Sequence, residues 1–307
     1  MTGRRDLRQP HQQAFLRIAL LALCLAGIAG CDRADDRVAV DPSTDRQARR
    51  IIALAPHLTE LIFRAGAGEY LVGVVEFSDY PGAASALPRV GDAFRLDYEA
   101  IADLQPDLIL GWQSGTPTNV LARLQGLGYR VVALEPGSFN SIAEHLRIIG
   151  RLAGTASAAH TAAAEYDQQL KQLRSRYEGT ANISVFYQLS ARPMLTISRH
   201  HLIGQAIELC GGRNVFAGLD ELTPAVSVEA VLDRSPEVII GSSFGAQGNQ
   251  NLDRLSAWSR WTHIPAVRDD NLFLVDADQI VRPSTRILGG VREVCEKLEA
   301  AREKKTS

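Results

Sequence analysis

Three groups of residues have the types and spacing to carry chemistry. Gly241-Ser242-Ser243-Phe244-Gly245 matches the nucleophile-elbow pattern G-x-S-x-G after a run that reads as a strand. Ser243 would then attack an acyl ester. An elbow must turn straight into a helix, and Ala246-Gln247-Gly248-Asn249 is a poor helix start. Only Asp253 and His263 follow in triad order, crowded together, so a site-lining loop is the better reading and a serine hydrolase a distant one. His200-His201 offers two imidazoles, but adjacent residues on an extended stretch point opposite ways and no third ligand is near. No metal site is expected. The third group is aromatic: Phe77, Tyr80, Phe94, Tyr98, Trp112 and Phe244 all fall in or beside loops that follow apolar runs. In open parallel sheets ligands bind outside the carboxyl ends of strands, and aromatic walls there suit a large, planar, partly apolar ligand.

The elements that must position these loops announce themselves by repetition. Asp97–Trp112 recurs 130 residues later as Ser227–Ser242: Glu99 matches Glu229, Asp103 matches Asp233, Pro106 matches Pro236 and Gly111 matches Gly241. A single offset this long is no solenoid, whose periods run about 20–50 residues. It predicts two lobes of one plan, each with a capped helix, a proline stop, a buried strand and a loop. Asp97 and Ser227 stand where an N-cap belongs, which puts Glu99 and Glu229 at the second helical position, favourable against the helix dipole. Two acidic knobs, one per lobe, would also serve as docking points for a partner.

Short apolar runs at 51–56, 71–75, 108–111 and 131–134 alternate with helical periodicities, as in βαβ units. After helices over 140–153 and 157–178 the plan returns, with strands at 183–189, 194–198, 238–241 and 272–276. Gly211-Gly212 reads as the C-cap of a helix over 202–210. The fold class is α/β: two Rossmann-like lobes with parallel sheets, joined by a long rigid helix, with a ligand cleft between them. Residues 1–30 are a leader, 31–49 a flexible tether, 50–153 the N-terminal lobe, 154–179 the connecting helix and 180–303 the C-terminal lobe.

Arg4, Arg5, Arg8 and Arg17 precede an apolar run of thirteen, Ile18–Gly30. That is short of the about 20 residues a spanning helix needs, and reads as a signal peptide. Its end, Ile28-Ala29-Gly30-Cys31, resembles the bacterial lipoprotein box, with Cys31 lipidated. Asp32 resembles an inner-membrane retention signal. With the leader's four arginines removed, a chain of formal charge −2 becomes more acidic still. No basic cluster with interleaved aromatics occurs, so no nucleic-acid partner is expected. No glycine-rich phosphate loop follows a strand, which disfavours nucleotides. Two cysteines remain in the exported part, Cys210 and Cys295, which suggests a disulfide, with two buried thiols as the alternative.

One family fits these pieces together. Ile52–Pro56 with Thr59-Glu60-Leu61, then Ser78-Asp79-Tyr80-Pro81, Pro106-Asp107-Leu108-Ile109 and Trp112 resemble the cobalamin-binding proteins that feed ABC importers. Cys210-Gly211-Gly212, Asn214-Val215-Phe216, Glu229, Asp278, Arg282, Arg286 and Cys295 continue the likeness. The resemblance implies a monomeric, periplasmic, non-enzymatic receptor without a cofactor, and the lipoprotein box would hold it at the inner membrane by lipid on Cys31. It implies a corrinoid packed against Trp112 and the loop of Phe77 and Tyr80, with Asp278 and Arg282 bonding its amide arms; Phe94 and Phe244 join the expected ligand-binding set as aromatic residues of neighbouring loops. Glu99 and Glu229 would engage arginines on the importer's membrane subunits, and Cys210–Cys295 would be the disulfide. The likeness departs at Ala93, Thr223 and Gln279-Ile280, where the family carries aromatic residues. Haem or a ferric siderophore on the same architecture is the alternative ligand.

Overall fold

Strands form here where apolar runs are covered on both faces. The computed structural model describes residues 46–92, 94–243 and 255–306; the leader, Cys31 and Phe244 lie outside the described residues. In the first lobe β1 (Ile51–Ala53), β2 (Leu71–Val74), β3 (Leu108–Trp112) and β4 (Val131–Leu134) form a parallel sheet ordered β2-β1-β3-β4. The chain then gives β5 (Ile183–Gln188), a short antiparallel hairpin of β6 (Ser190–Ala191) and β7 (Met194–Leu195), β8 (Gly212–Asn214), β9 (Val238–Ser243) and β10 (Leu272–Asp276). The second parallel sheet is ordered β8-β5-β9-β10. Numbered within its own lobe, each sheet reads 2-1-3-4. The sequence repeat is therefore a repeat of topology.

The equivalence extends to single bonds. Asp107 accepts the amides of Arg49 and Arg50 at 2.8 and 3.0 Å, just before β1. Its counterpart Glu237 accepts the amide of Ser184 at 2.8 Å, in β5. Gln105 and Ser235, again 130 apart, both take left-handed backbone, with φ of 43° and 46°. Ala48 and Arg49, at the end of the stretch read as a tether, are fastened to the lobe, Ala48 donating its N–H to Leu152 O at 2.7 Å.

Along each strand alternate residues face opposite ways. Ile51 and Ala53 face the main core, while Ile52 and Ile109 join a satellite cluster with Val120 and Leu124 of helix 118–126. In the second lobe Phe186 and Ile239 play the satellite part beneath Trp258. The main core does not stop at the lobe boundary. Helices α1 (Pro56–Arg64), α2 (Tyr98–Asp103), α3 (Thr118–Gly126) and α4 (Phe139–Ala153) belong to the first lobe. The connecting helix α5 (Ala156–Tyr177) spans 22 residues, about 33 Å. Its Ala159, Ala163, Tyr166, Leu170, Leu173 and Tyr177 form a buried stripe at helical spacing, and one cluster runs along it from Ile51 to Val291.

In the second lobe α6 (Leu202–Leu209), α7 (Val228–Arg234), α8 (Pro265–Arg268), α9 (Ala277–Ile280) and α10 (Ile287–Thr306) complete the fold. Cys210 and Cys295 form a disulfide between the end of α6 and α10, with Cα atoms 4.8 Å apart. The strand expected over 194–198 is only the arm β7 of the hairpin, and the fourth strand of the sheet is Gly212–Asn214. Gly211, at φ +71°, does close α6, but Gly212 begins an extended run at once, so the glycine pair is a cap and a strand start. Ala257–Arg260 forms a 3₁₀ turn. No helix among the described residues is long and apolar enough to cross a membrane.

Candidate binding site

The switch points, where strand order reverses, lie between β1 and β3 and between β5 and β9, and the loops beyond their carboxyl ends are the candidate walls of a site. On the first lobe Trp112 ends β3. Its ring packs edge-on against His57, centroids 5.1 Å apart, and Gly115 has no side chain to obstruct it: a Cβ there would lie 2.0 Å from the ring. Both His57 Nε2 and Trp112 Nε1 are buried without a partner.

Beyond β2, the loop 77–81 carries the exposed aromatics. Phe77 is 76% exposed and held at φ +64°, a left-handed conformation a bulky residue adopts only under constraint. The constraint is visible: buried Ser78 accepts a hydrogen bond from Thr59 Oγ1 at 3.2 Å, and Arg89 donates to Ser78 O at 3.2 Å. Phe94 is equally open, 75% exposed, beyond an Asp92 that accepts the amides of Phe94 and Arg95. Phe77 and Phe94 thus leave their rings in water on two separate loops of the first lobe.

On the second lobe β10 leads into Asp276, whose carboxylate accepts the amide of Asp278 at 2.9 Å and so starts α9. One turn further, Arg282 Nη2 meets Asp278 Oδ1 at 2.8 Å. The same guanidinium crosses to the first lobe. Arg282 Nη1 donates to Asp79 Oδ1 at 2.6 Å and to Glu60 Oε1 at 3.3 Å. Arg286 Nη1 donates to Glu60 at 3.2 Å and its guanidinium lies 4.1 Å over the Tyr80 ring; the Ser284 hydroxyl donates to Glu60 Oε2. Burial pushes the Glu60 carboxyl above its ordinary range, while Ser284 and the two guanidiniums pull it back. The hydrogen bond from Arg282 holds Asp79 below the usual carboxylate range.

The structure thus gathers Tyr80, Asp278 and Arg282 into one inter-lobe cluster. It leaves Phe77, Phe94 and Trp112 in separate loops of the first lobe, and Phe244 is outside the described residues. Sequence reasoning did not assign Glu60, Asp79, Ser284 or Arg286 to the site. A lone acid between Leu58 and Leu61, on the buried face of an apolar helix, was the available signal. Glu99 and Glu229 are both exposed, on helices capped by Asp97, which accepts the Glu99 and Ala100 amides, and by Ser227, which accepts the Ala230 amide. His201 has a structural role, its Nδ1 accepting the Ile203 amide at the start of α6. Among the described residues no group of three His, Cys, Asp or Glu is placed to hold a metal.

The model of the periplasmic binding proteins matches residues 51–279. The chain belongs to the periplasmic binding protein family. Members of this family are substrate-binding proteins and not enzymes, so the G-x-S-x-G pattern is incidental; the Ser243 hydroxyl donates to Val275 O at 3.5 Å. Among its relatives in the family is the vitamin B12-binding protein of Vibrio cholerae, 36% identical over 255 residues, which are 83% of this chain and 90% of that protein. The vitamin B12-binding protein of Yersinia pestis is 34% identical over 82% of this chain and 86% of its own length. The crystal structure of the periplasmic vitamin B12-binding protein BtuF of Vibrio cholerae superposes with a TM-score of 0.76, covering 83% of this chain and 98% of that one. The periplasmic haem-binding protein HutB of the same species shares the fold at 22% identity, with a TM-score of 0.70 over 81% of this chain and 98% of its own.

Proposed function

We propose that this protein captures cobalamin or a related corrinoid in the periplasm and hands it to an ABC importer. The observation that carries the reading is the 36% identity to a vitamin B12-binding protein across 83% of this chain and 90% of that one. The site chemistry agrees with it. Phe77, Phe94, Trp112 and Tyr80 supply rings for a large planar ligand, and Asp278 and Arg282 supply an acceptor and donors for amide arms. Lipid on Cys31 would hold the monomeric receptor at the inner membrane, and Glu99 and Glu229 would meet the importer. Titration calorimetry of the purified protein with cyanocobalamin and with haem tests the ligand. Tight binding of cyanocobalamin, weakened at least tenfold by Trp112→Ala, is expected; binding of haem in its place overturns the reading.

A further inference from the structure

We infer that Asp79 makes this site accept ligands whose polar arms are amides and reject ligands whose arms are carboxylates, an inference that rests on the corrinoid reading above. Arg282 is the cation a carboxylate ligand would seek, and the protein has already paired it. Asp79, Asp278 and Glu60 lie 2.6, 2.8 and 3.3 Å from its guanidinium nitrogens. Arg286, the other cation, contacts Glu60 at 3.2 Å and is stacked on Tyr80. Three carboxylates thus face two guanidiniums, and the cluster carries a formal surplus of one negative charge.

The three acids differ in where they can be met. The Glu60 side chain is 3% exposed and that of Asp278 32%, whereas that of Asp79 is 59% exposed on the loop that also presents Phe77 and Tyr80. A ligand settling on those rings meets Asp79 first. An incoming carboxylate finds a guanidinium already occupied and a like charge beside it, which is repulsive near a protein surface. A primary amide carries both functions the cluster can use: its NH₂ donates to Asp79 or Asp278 while its carbonyl accepts from Arg282. A tetrapyrrole with propionate arms, haem included, falls in the rejected class.

The test keeps the ring constant and changes the arms. Dicyanocobinamide presents amides and dicyanocobyrinic acid presents carboxylates on the same corrin. The wild-type protein is expected to prefer the amide ligand, and Asp79→Asn to narrow the ratio of dissociation constants by about tenfold, equivalent to about 1.4 kcal/mol. Asp79→Ser, which replaces the carboxylate by a neutral hydroxyl, should narrow it as well. Asp220→Asn, the same charge change at an exposed position of the other lobe, should leave it alone. An unchanged ratio in Asp79 variants that still bind dicyanocobinamide overturns this inference only. Failure of the wild-type protein to bind either corrinoid overturns the corrinoid reading and takes the inference with it.

Discussion

His57 and His145 turn acidity into a folding problem. His57 is 3% exposed, and burial together with the neighbouring His145 lowers its pKa to about 3; burial alone brings His145 to about 4. In the unfolded chain both return to about 6.5. Between those values the unfolded state binds more protons than the folded one, so stability falls as pH falls. Their contribution is complete above pH 6.5 and is lost progressively as the pH drops towards 4 and then 3, by up to about 1.4 kcal/mol per pH unit for each histidine. The unfolding midpoint should therefore decline between pH 7 and pH 5. His57→Phe keeps a ring against Trp112 and removes one titrating group, so its midpoint should decline less steeply. Parallel slopes for wild type and variant, followed by tryptophan fluorescence in urea, would show that His57 does not titrate on unfolding.

Helices α4 and α5 pack where Gly150 faces Ala159, and a Cβ added at Gly150 would lie 2.3 Å from the alanine's Cβ and 3.3 Å from Ala156 Cα. Two effects compete in Gly150→Leu. Replacing a helical glycine gains up to about 1 kcal/mol of propensity. Overpacking a well-filled contact costs about 1–3 kcal/mol, and more where backbone lies behind it, so the variant should be less stable and its urea midpoint lower. A raised midpoint would mean the helices can separate at no cost. The seam itself was legible, because α5 carries alanines and large apolar residues at helical spacing and no proline or glycine. So were the equivalent helices, from caps at Asp97 and Ser227 that bond as expected. β8 was not legible: three residues led by glycine carry no alternation to read. The Glu60 cluster was not legible as a site either, since its partners lie 222 to 226 positions away and only the folded chain brings them together.

At the scale of the molecule one core runs through both sheets by way of α5, so the lobes share their interior instead of merely touching. Polar bonds brace the junction too, through Glu60, Asp79 and Arg282, and through Gln205, which donates to Gly137 O at 2.9 Å. A body built this way presents its surface features at nearly fixed separation. Glu99 and Glu229 are such a pair, each exposed at the second position of a helix that follows the same strand-order plan in its own lobe. If a rigid receptor docks through them, affinity for the ligand and delivery of the ligand are separable properties. Glu99→Lys combined with Glu229→Lys should leave corrinoid affinity within about twofold, a difference of only about 0.4 kcal/mol, because both glutamates are exposed on helices 98–103 and 228–234, outside the segments 77–81 and 278–286. Folding should persist, because Asp97 and Ser227 still cap their helices. Uptake through a reconstituted importer should fall by at least an order of magnitude, since two attractive contacts become repulsive ones. The single reversals should each give part of that loss. Uptake that survives the double reversal, with ligand affinity intact, would leave the two glutamates as helix-dipole partners and place the importer contact elsewhere on the lobes.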